Sequence, residues 1–169
     1  MIREIVKYPE PVLAKKTEPV TQFDAALEAL VADMFESMYA AEGIGLAGPQ
    51  IGVSQRLTVI DLSFQKDPEQ KIVLINPEIV FSEGKQREEE GCLSLPDIRA
   101  KVDRAATVRV RAQNVKGEQI ELEGSDLLSR AFQHEIDHLD GILFIDRISR
   151  LKRDLLLRRI KKLQAAGEW

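Results

Sequence analysis

Apolar positions recur at helical spacing early in the chain: Phe23, Leu27, Leu30, Val31, Met34 and Met38 fall on one side of a helix. Thr21 is the expected N-cap and Gly43 the stop, which predicts a helix running to about Glu42. Residues 1–20 contain Pro9, Pro11 and Pro19 and read as an irregular lead-in packed over the core. After the helix comes a loop with three glycines, Gly43-Ile44-Gly45-Leu46-Ala47-Gly48-Pro49-Gln50. Strands are predicted at 57–62, 72–75 and 79–81. Residues 107–112 alternate, with Val108, Val110 and Ala112 on one face and Arg109 and Arg111 on the other. The turn Asn114-Val115-Lys116-Gly117 and a second alternation at 119–122 complete a predicted hairpin. A second helix is predicted from Ser125 to just before Gly141, with Leu128, Ala131, Phe132, Glu135 and Leu139 on one side. A last helix from about Ser149 puts Leu151, Leu155, Ile160 and Leu163 on one stripe and basic residues on the other. Strands in the middle and helices at both ends predict an α+β fold, with mixed or antiparallel sheets around one central helix and a C-terminal helix beyond.

Composition narrows this picture. The 169 residues are 44% hydrophobic and 31% charged, with no linker or repeat, so residues 1–169 are expected to form a single domain with a full-sized core. One cysteine excludes an internal disulfide and a multi-cysteine zinc finger. No apolar run approaches the roughly 18 residues that a membrane helix needs. The first residues, Met1-Ile2-Arg3-Glu4-Ile5-Val6-Lys7, carry charges where a signal peptide needs an apolar stretch. A soluble cytoplasmic protein with no membrane partner is the expectation. Charge is uneven: residues 147–169 hold eight Lys and Arg against Asp154 and Glu168, so a basic tail follows an acidic body.

The candidate chemistry starts at His134-Glu135-Ile136-Asp137-His138, an H-E-x-x-H pattern inside the second predicted helix. Four residues make slightly more than one turn, so both imidazoles emerge from one face and can hold two positions of a metal. The chain spends its only two histidines on this spacing. Glu135 follows the first ligand and can reach a metal-bound water without binding the metal itself. A zinc peptidase of this type draws its third ligand from downstream, yet beyond His138 there is no His and the only Glu is Glu168. Upstream stands Cys92, in Glu90-Gly91-Cys92-Leu93-Ser94-Leu95-Pro96. A lone cysteine is commonly a buried small hydrophobe, but the preceding glycine and the charged run Arg87-Glu88-Glu89-Glu90 argue for a ligand. One Cys and two His would leave a fourth position for water, the arrangement of catalytic rather than structural sites. A metallopeptidase and a non-catalytic metal-binding module, which would have no need for Glu135 or Gln50, stay open as alternatives.

These residues resemble peptide deformylase. The family's three motifs stand here in order as Gly43-Ile44-Gly45-Leu46-Ala47-Gly48-Pro49-Gln50, Glu90-Gly91-Cys92-Leu93-Ser94 and Gln133-His134-Glu135-Ile136-Asp137-His138-Leu139. Gly48 departs from the alanine most often found there, and Leu95 from the commoner isoleucine. The resemblance implies that Cys92, His134 and His138 bind one divalent metal ion, Fe(II) in the cell, with zinc, nickel or cobalt able to substitute. It implies that Glu135 is the general acid/base, and that Gln50 and the backbone N–H of Leu93 stabilise the oxyanion. Hydroxide generated at the metal would attack the formyl carbon of an N-formylmethionyl nascent peptide, releasing formate and a free N-terminus. Ile44 and Gly45, with Gly91 opposite, would pair with the peptide backbone. The methionine side chain would enter a pocket near Ile44, Leu127, Ala131 and His134, with the stem of Arg130 at its edge. Ordinary helix core is the alternative for Leu127 and Ala131. Arg99 would meet the downstream peptide, or be a plain surface arginine, and Glu90 with Arg104 is a candidate supporting ion pair. The basic residues from Arg147 to Lys162 leave two readings, a solvated helix face or a ribosome contact near the nascent chain. No specific DNA partner is expected.

Overall fold

A computed structural model describes residues 1–169. In chain order the elements are α1 (Ala25–Ala40), β1 (Gly45–Ala47), β2 (Leu57–Ile60), β3 (Ile72–Glu83), β4 (Gln86–Cys92), β5 (Leu95–Arg104), β6 (Thr107–Gln113), β7 (Gln119–Ser125), α2 (Asp126–Leu139) and α3 (Arg150–Ala165). Short 3-10 turns lie between them, among them Pro11–Ala14, Gly48–Ile51 and Phe144–Arg147. Five strands form one sheet in the order β1-β2-β3-β6-β7, and β4 with β5 forms a separate ribbon. Every strand pair is antiparallel, so the expected α+β class is found in its antiparallel form.

Strand β2 shows why α2 is central. Its residues are all buried and alternate between two faces. Leu57 and Val59 pack with Val31, Met34 and Met38 of α1. Ile60 packs with Phe132 and Ile136 of α2 on the other side. Leu74 and Ile75 of β3 divide in the same way. Farther across the sheet only one face is covered: Val108, Val110 and Ala112 of β6 meet α2, and Arg111 points outward. A third apolar cluster joins Leu95, Ile98 and Val102 of β5 to Leu13, Phe144 and Ile160, which docks the ribbon on the N-terminal lead-in and α3.

Several elements differ from the sequence expectation. Helix α1 starts at Ala25, because the Asp24 carboxylate accepts from the Leu27 N–H at 3.0 Å and outcompetes Thr21 as the cap. The glycine segment expected to be a loop holds β1 and a 3-10 turn. The two strands expected at 72–75 and 79–81 are one, since the chain passes Pro77 through register shifts. Asn76 absorbs the distortion with φ of 52°, its side chain bonded to both backbone groups of Val20. The β4–β5 ribbon was not among the expected strands. On α3, Leu151 and Leu155 are 71% and 53% exposed, whereas Leu156, Leu157 and Ile160 face the core. At about 100° per residue, Leu151 and Ile160 lie on opposite sides of a helix, so the expected stripe could not exist.

Asp61 follows β2 and is wholly buried. Burial pushes its carboxyl up, but hydrogen bonds from the Ser63 and Tyr39 hydroxyls and from the Ser63 and Gln65 N–H groups outweigh it and hold it at about 2. The folded state thus keeps an anion that the unfolded chain protonates near pH 3.8, and its stabilising contribution is lost as pH falls from there toward about 2. Asp61→Asn is expected to lower the Tm at neutral pH and to flatten its decline between about pH 4 and about pH 2. Thermal unfolding across that range checks both effects.

Candidate metal centre

Cys92 closes β4, and the chain reverses through Leu93 and Ser94 before β5. Cys92 pairs with Leu95 while Gly91 pairs with Arg99, so Pro96, Asp97 and Ile98 bulge out of the ladder. A bulge of this kind bends a ribbon and re-aims its side chains. Here it turns Cys92 toward α2, where its Sγ lies 3.3 Å from His138 Nε2. The donor atoms of Cys92, His134 and His138 all fall within 4.8 Å of one another. One cysteine sulfur and two imidazoles converging at the base of a cleft suit a divalent ion. His138 Nδ1 and Glu135 Oε1 are buried without a partner, so the polar atoms around the donors are not satisfied by the protein alone. The residues present fit a bound metal.

A chain of buried charges supports the donors. His134 Nδ1 sits 2.9 Å from Glu90 Oε1, which leaves Nε2 as the nitrogen free to face Cys92 and His138. Arg104 donates to both oxygens of Glu90 at 2.9 Å and to Asp137 Oδ2 at 2.6 Å. Arg147 then grips Asp137 with two further bonds, at 3.1 and 2.7 Å. Burial pushes the Glu90 carboxyl up, but its bonds from His134 and Arg104 prevail and hold it at about 2. The Glu90–Arg104 pair expected from the sequence is therefore present, and Asp137, assigned no role in the sequence reading, extends it together with Arg147. Arg147 was expected on the basic tail helix but lies in the Phe144–Arg147 turn before α3. Asp137 carried a signal, since it lies inside the H-E-x-x-H segment.

Gln50 approaches from the other side. Its Oε1 accepts from the Ala47 N–H at 3.0 Å, which fixes the amide so that Nε2 points at Ser94 Oγ (3.2 Å) and Cys92 Sγ (3.5 Å). The lead-in ties the same pieces together: Val6 N–H donates to Gln50 O and Tyr8 N–H to Ser94 O. Glu135 lies against β1. A Cβ at Gly45 would stand 2.5 Å from its Oε2 and 2.9 Å from its Cδ, so a side chain there would force this carboxylate out of its position. Burial pushes Glu135 up to about 7. At Gly48 a methyl would lie 2.8 Å from the carbonyl oxygens of Val53 and Gln55, a close approach that glycine permits in this chain.

A cleft of about 760 Å³ opens over the donors. Ile44, Gly45, Gln50, Gly91, Cys92, Leu93, Arg99, Leu127, Arg130, Ala131, His134 and Glu135 all line it, and His138 lies buried beneath. Leu127 is exposed on the cleft wall rather than packed in the core, whereas Ala131 belongs to both. The Arg130 guanidinium is held by Gln86 Oε1 at 2.7 Å. Arg99 is largely exposed and bonds Glu89 at 2.6 Å. Glu42 and Phe64 also line the cleft and were missed by the sequence reading. An aromatic ring in the polar turn after β2 was the available signal for Phe64.

Comparison with known proteins gives one consistent answer. A family model described as polypeptide deformylase matches residues 2–154. A peptide deformylase of Acidobacterium capsulatum is 72% identical over 169 residues, covering 100% of this chain and 99% of that protein. One from Bartonella tribocorum is 51% identical over 164 residues, 95% of this chain and 92% of its own. The crystal structure of a peptide deformylase from Legionella pneumophila superposes with a TM-score of 0.90 at 48% identity, over 98% of both chains. That of the Thermus thermophilus enzyme gives 0.89 at 40% identity, over 99% of this chain and 98% of the other.

The buried network yields a test that needs no activity. Arg104→Met leaves Glu90 and Asp137 without their shared cation and is expected to cost about 3–5 kcal/mol in denaturant unfolding of metal-free protein. Arg147→Ala, which removes a half-exposed guanidinium, is expected to cost under about 1 kcal/mol.

Proposed function

The chain belongs to the peptide deformylase family, hydrolases that remove the N-formyl group from nascent peptides, and on that premise we propose how its residues divide the work. Cys92, His134 and His138 hold the divalent ion. Bound there, it would supply Lewis acidity, which makes water acidic enough to act as a nucleophile near neutral pH. Glu135 takes a proton from the attacking water and returns it to the leaving amine nitrogen. The observation that carries this reading is its buried, unpartnered Oε1 beside three converging donors. Gln50 Nε2 and the backbone N–H of Leu93 donate to the formyl oxygen as it becomes negative. The pinned orientation of the Gln50 amide supports that role, because such donors act best when placed in advance.

The peptide backbone runs between the outer edge of β1, with Ile44 and Gly45, and Gly91 on β4. Ile44, Leu127 and Ala131 form the apolar pocket for the methionine side chain, with the stem of Arg130 at its rim. Arg99 meets the peptide farther along. The native ion is Fe(II), for which the mixed sulfur and imidazole donors are suitable, and zinc, nickel or cobalt takes its place. Residues 1–169 act as one catalytic domain. The exposed face of α3 contacts the ribosome: Leu151 and Leu155 stand there among exposed Arg150, Lys152, Arg158 and Arg159. No helix is long and apolar enough to cross a membrane.

The metallopeptidase and metal-module alternatives give way to family membership. Formate release from formyl-Met-Ala-Ser, measured beside cleavage of the unformylated peptide, is expected to give formate and no peptide cleavage. Glu135→Ala is expected to retain its metal, by elemental analysis, while kcat falls about 10²- to 10⁴-fold. Near-normal turnover in that variant would remove Glu135 from its role. Anaerobically prepared protein is expected to contain iron and to lose activity on exposure to air. Equal activity before and after ageing at constant iron content argues against Fe(II).

A further inference from the structure

We propose that Phe64 is a specificity-determining residue of the cleft, an apolar contact for the side chains that directly follow formylmethionine in the peptide. This rests on the deformylase reading above. Phe64 stands in the turn Ser63-Phe64-Gln65-Lys66-Asp67, where every neighbour is polar. Its ring belongs to none of the apolar clusters. Of the large apolar side chains left exposed, only Phe64 (45%) and Leu127 (41%) line the cleft. Leu127 sits on the helix that also carries His134 and His138, whereas Phe64 comes from the sheet side.

The backbone around Phe64 is held in a costly conformation. Phe64 and Gln65 have φ of 53° and 72°, in the left-handed region that bulky side chains rarely adopt. Such geometry persists only where the surroundings over-determine it, and it concentrates at functional sites. Asp61 supplies the constraint. Its buried carboxylate accepts from Ser63 N–H at 2.8 Å, Ser63 Oγ at 2.6 Å, Gln65 N–H at 3.1 Å and Tyr39 Oη at 2.5 Å. The Asp61 N–H donates to Ile44 O at 2.9 Å, just before β1. One residue thereby fixes the turn that bears the ring to the strand proposed to hold the peptide. Nothing polar is gained by placing a benzyl group there. The ring lines the cleft and is exposed there, so its use is contact with apolar side chains of the substrate.

Steady-state kinetics on two peptides test this, formyl-Met-Leu-Leu and formyl-Met-Ser-Ser. The wild type is expected to prefer the leucine peptide in kcat/KM. Phe64→Asn removes the ring with a residue that accepts left-handed φ, so the turn is preserved. It is expected to lower kcat/KM for the leucine peptide about tenfold and to change the serine peptide less than about twofold. Phe64→Leu is expected to restore the preference. Should the Asn variant not fold, Phe64→Gly removes ring and strain together and reads the same ratio. Equal loss on both peptides, or no loss on either, overturns the proposal while leaving the deformylase reading intact. A wild type that releases no formate from either peptide fails the deformylase reading before any substitution is made, and this proposal with it.

Discussion

A guanidinium buried between a ribbon and a helix must be neutralised by groups that are buried with it, and around Arg104 the molecule is arranged to do so. Glu90 on β4 takes two of its donors and Asp137 on α2 takes the third, so the guanidinium is fully bonded only when ribbon and helix are in contact. The same contact sets Cys92, two residues from Glu90, against His138, one residue from Asp137. The candidate metal donors and the charge network therefore share one docking geometry. Removing half of such a network leaves a buried charge unpaired, which is far more costly than the intact network is favourable. Its contribution lies in specifying a single arrangement. His134 completes it, because the carboxylate that neutralises Arg104 also orients that imidazole.

The remaining architecture makes α2 a fixed platform. Sheet strands pack along one side of it and the ribbon crosses another, so most of the helix after Arg130 is buried. Gln50, on a different element, is held from three directions: by Ala47, by Ser94 and by the lead-in at Val6. Groups that must meet within fractions of an ångström are thus each anchored to rigid structure, as preorganised chemistry requires.

How legible this was differs by kind of information. The three candidate metal donors and Glu135 are written in residue type and spacing, which survive without any structure. Helix α2 and the β6–β7 hairpin follow from periodicity, since each has one clear apolar face. The β4–β5 ribbon does not. Strand β4 reads Gln86-Arg87-Glu88-Glu89-Glu90, and its inward residue is a glutamate buried as an ion pair. Hydrophobic alternation cannot register a strand whose buried side chain is charged. The expected break at Pro77 fails for another reason, because a bulge lets a strand pass a proline. Arg147 enters the network through a tertiary contact that no local pattern encodes, whereas Phe64 carried only the weak signal of an aromatic ring in a polar turn.

Strand β1 stands at the border of its sheet, so its outer backbone groups have no neighbouring strand. Unpaired strand borders invite self-association, since another copy of the chain can pair with them as readily as a ligand can. Here the border is three residues long and then tightens into the Gly48–Ile51 turn, where Pro49 has no N–H to offer. A border this short offers a second folded chain only three residues on which to build a ladder. The brevity of β1 thus limits the unpaired border that the sheet presents to other folded chains.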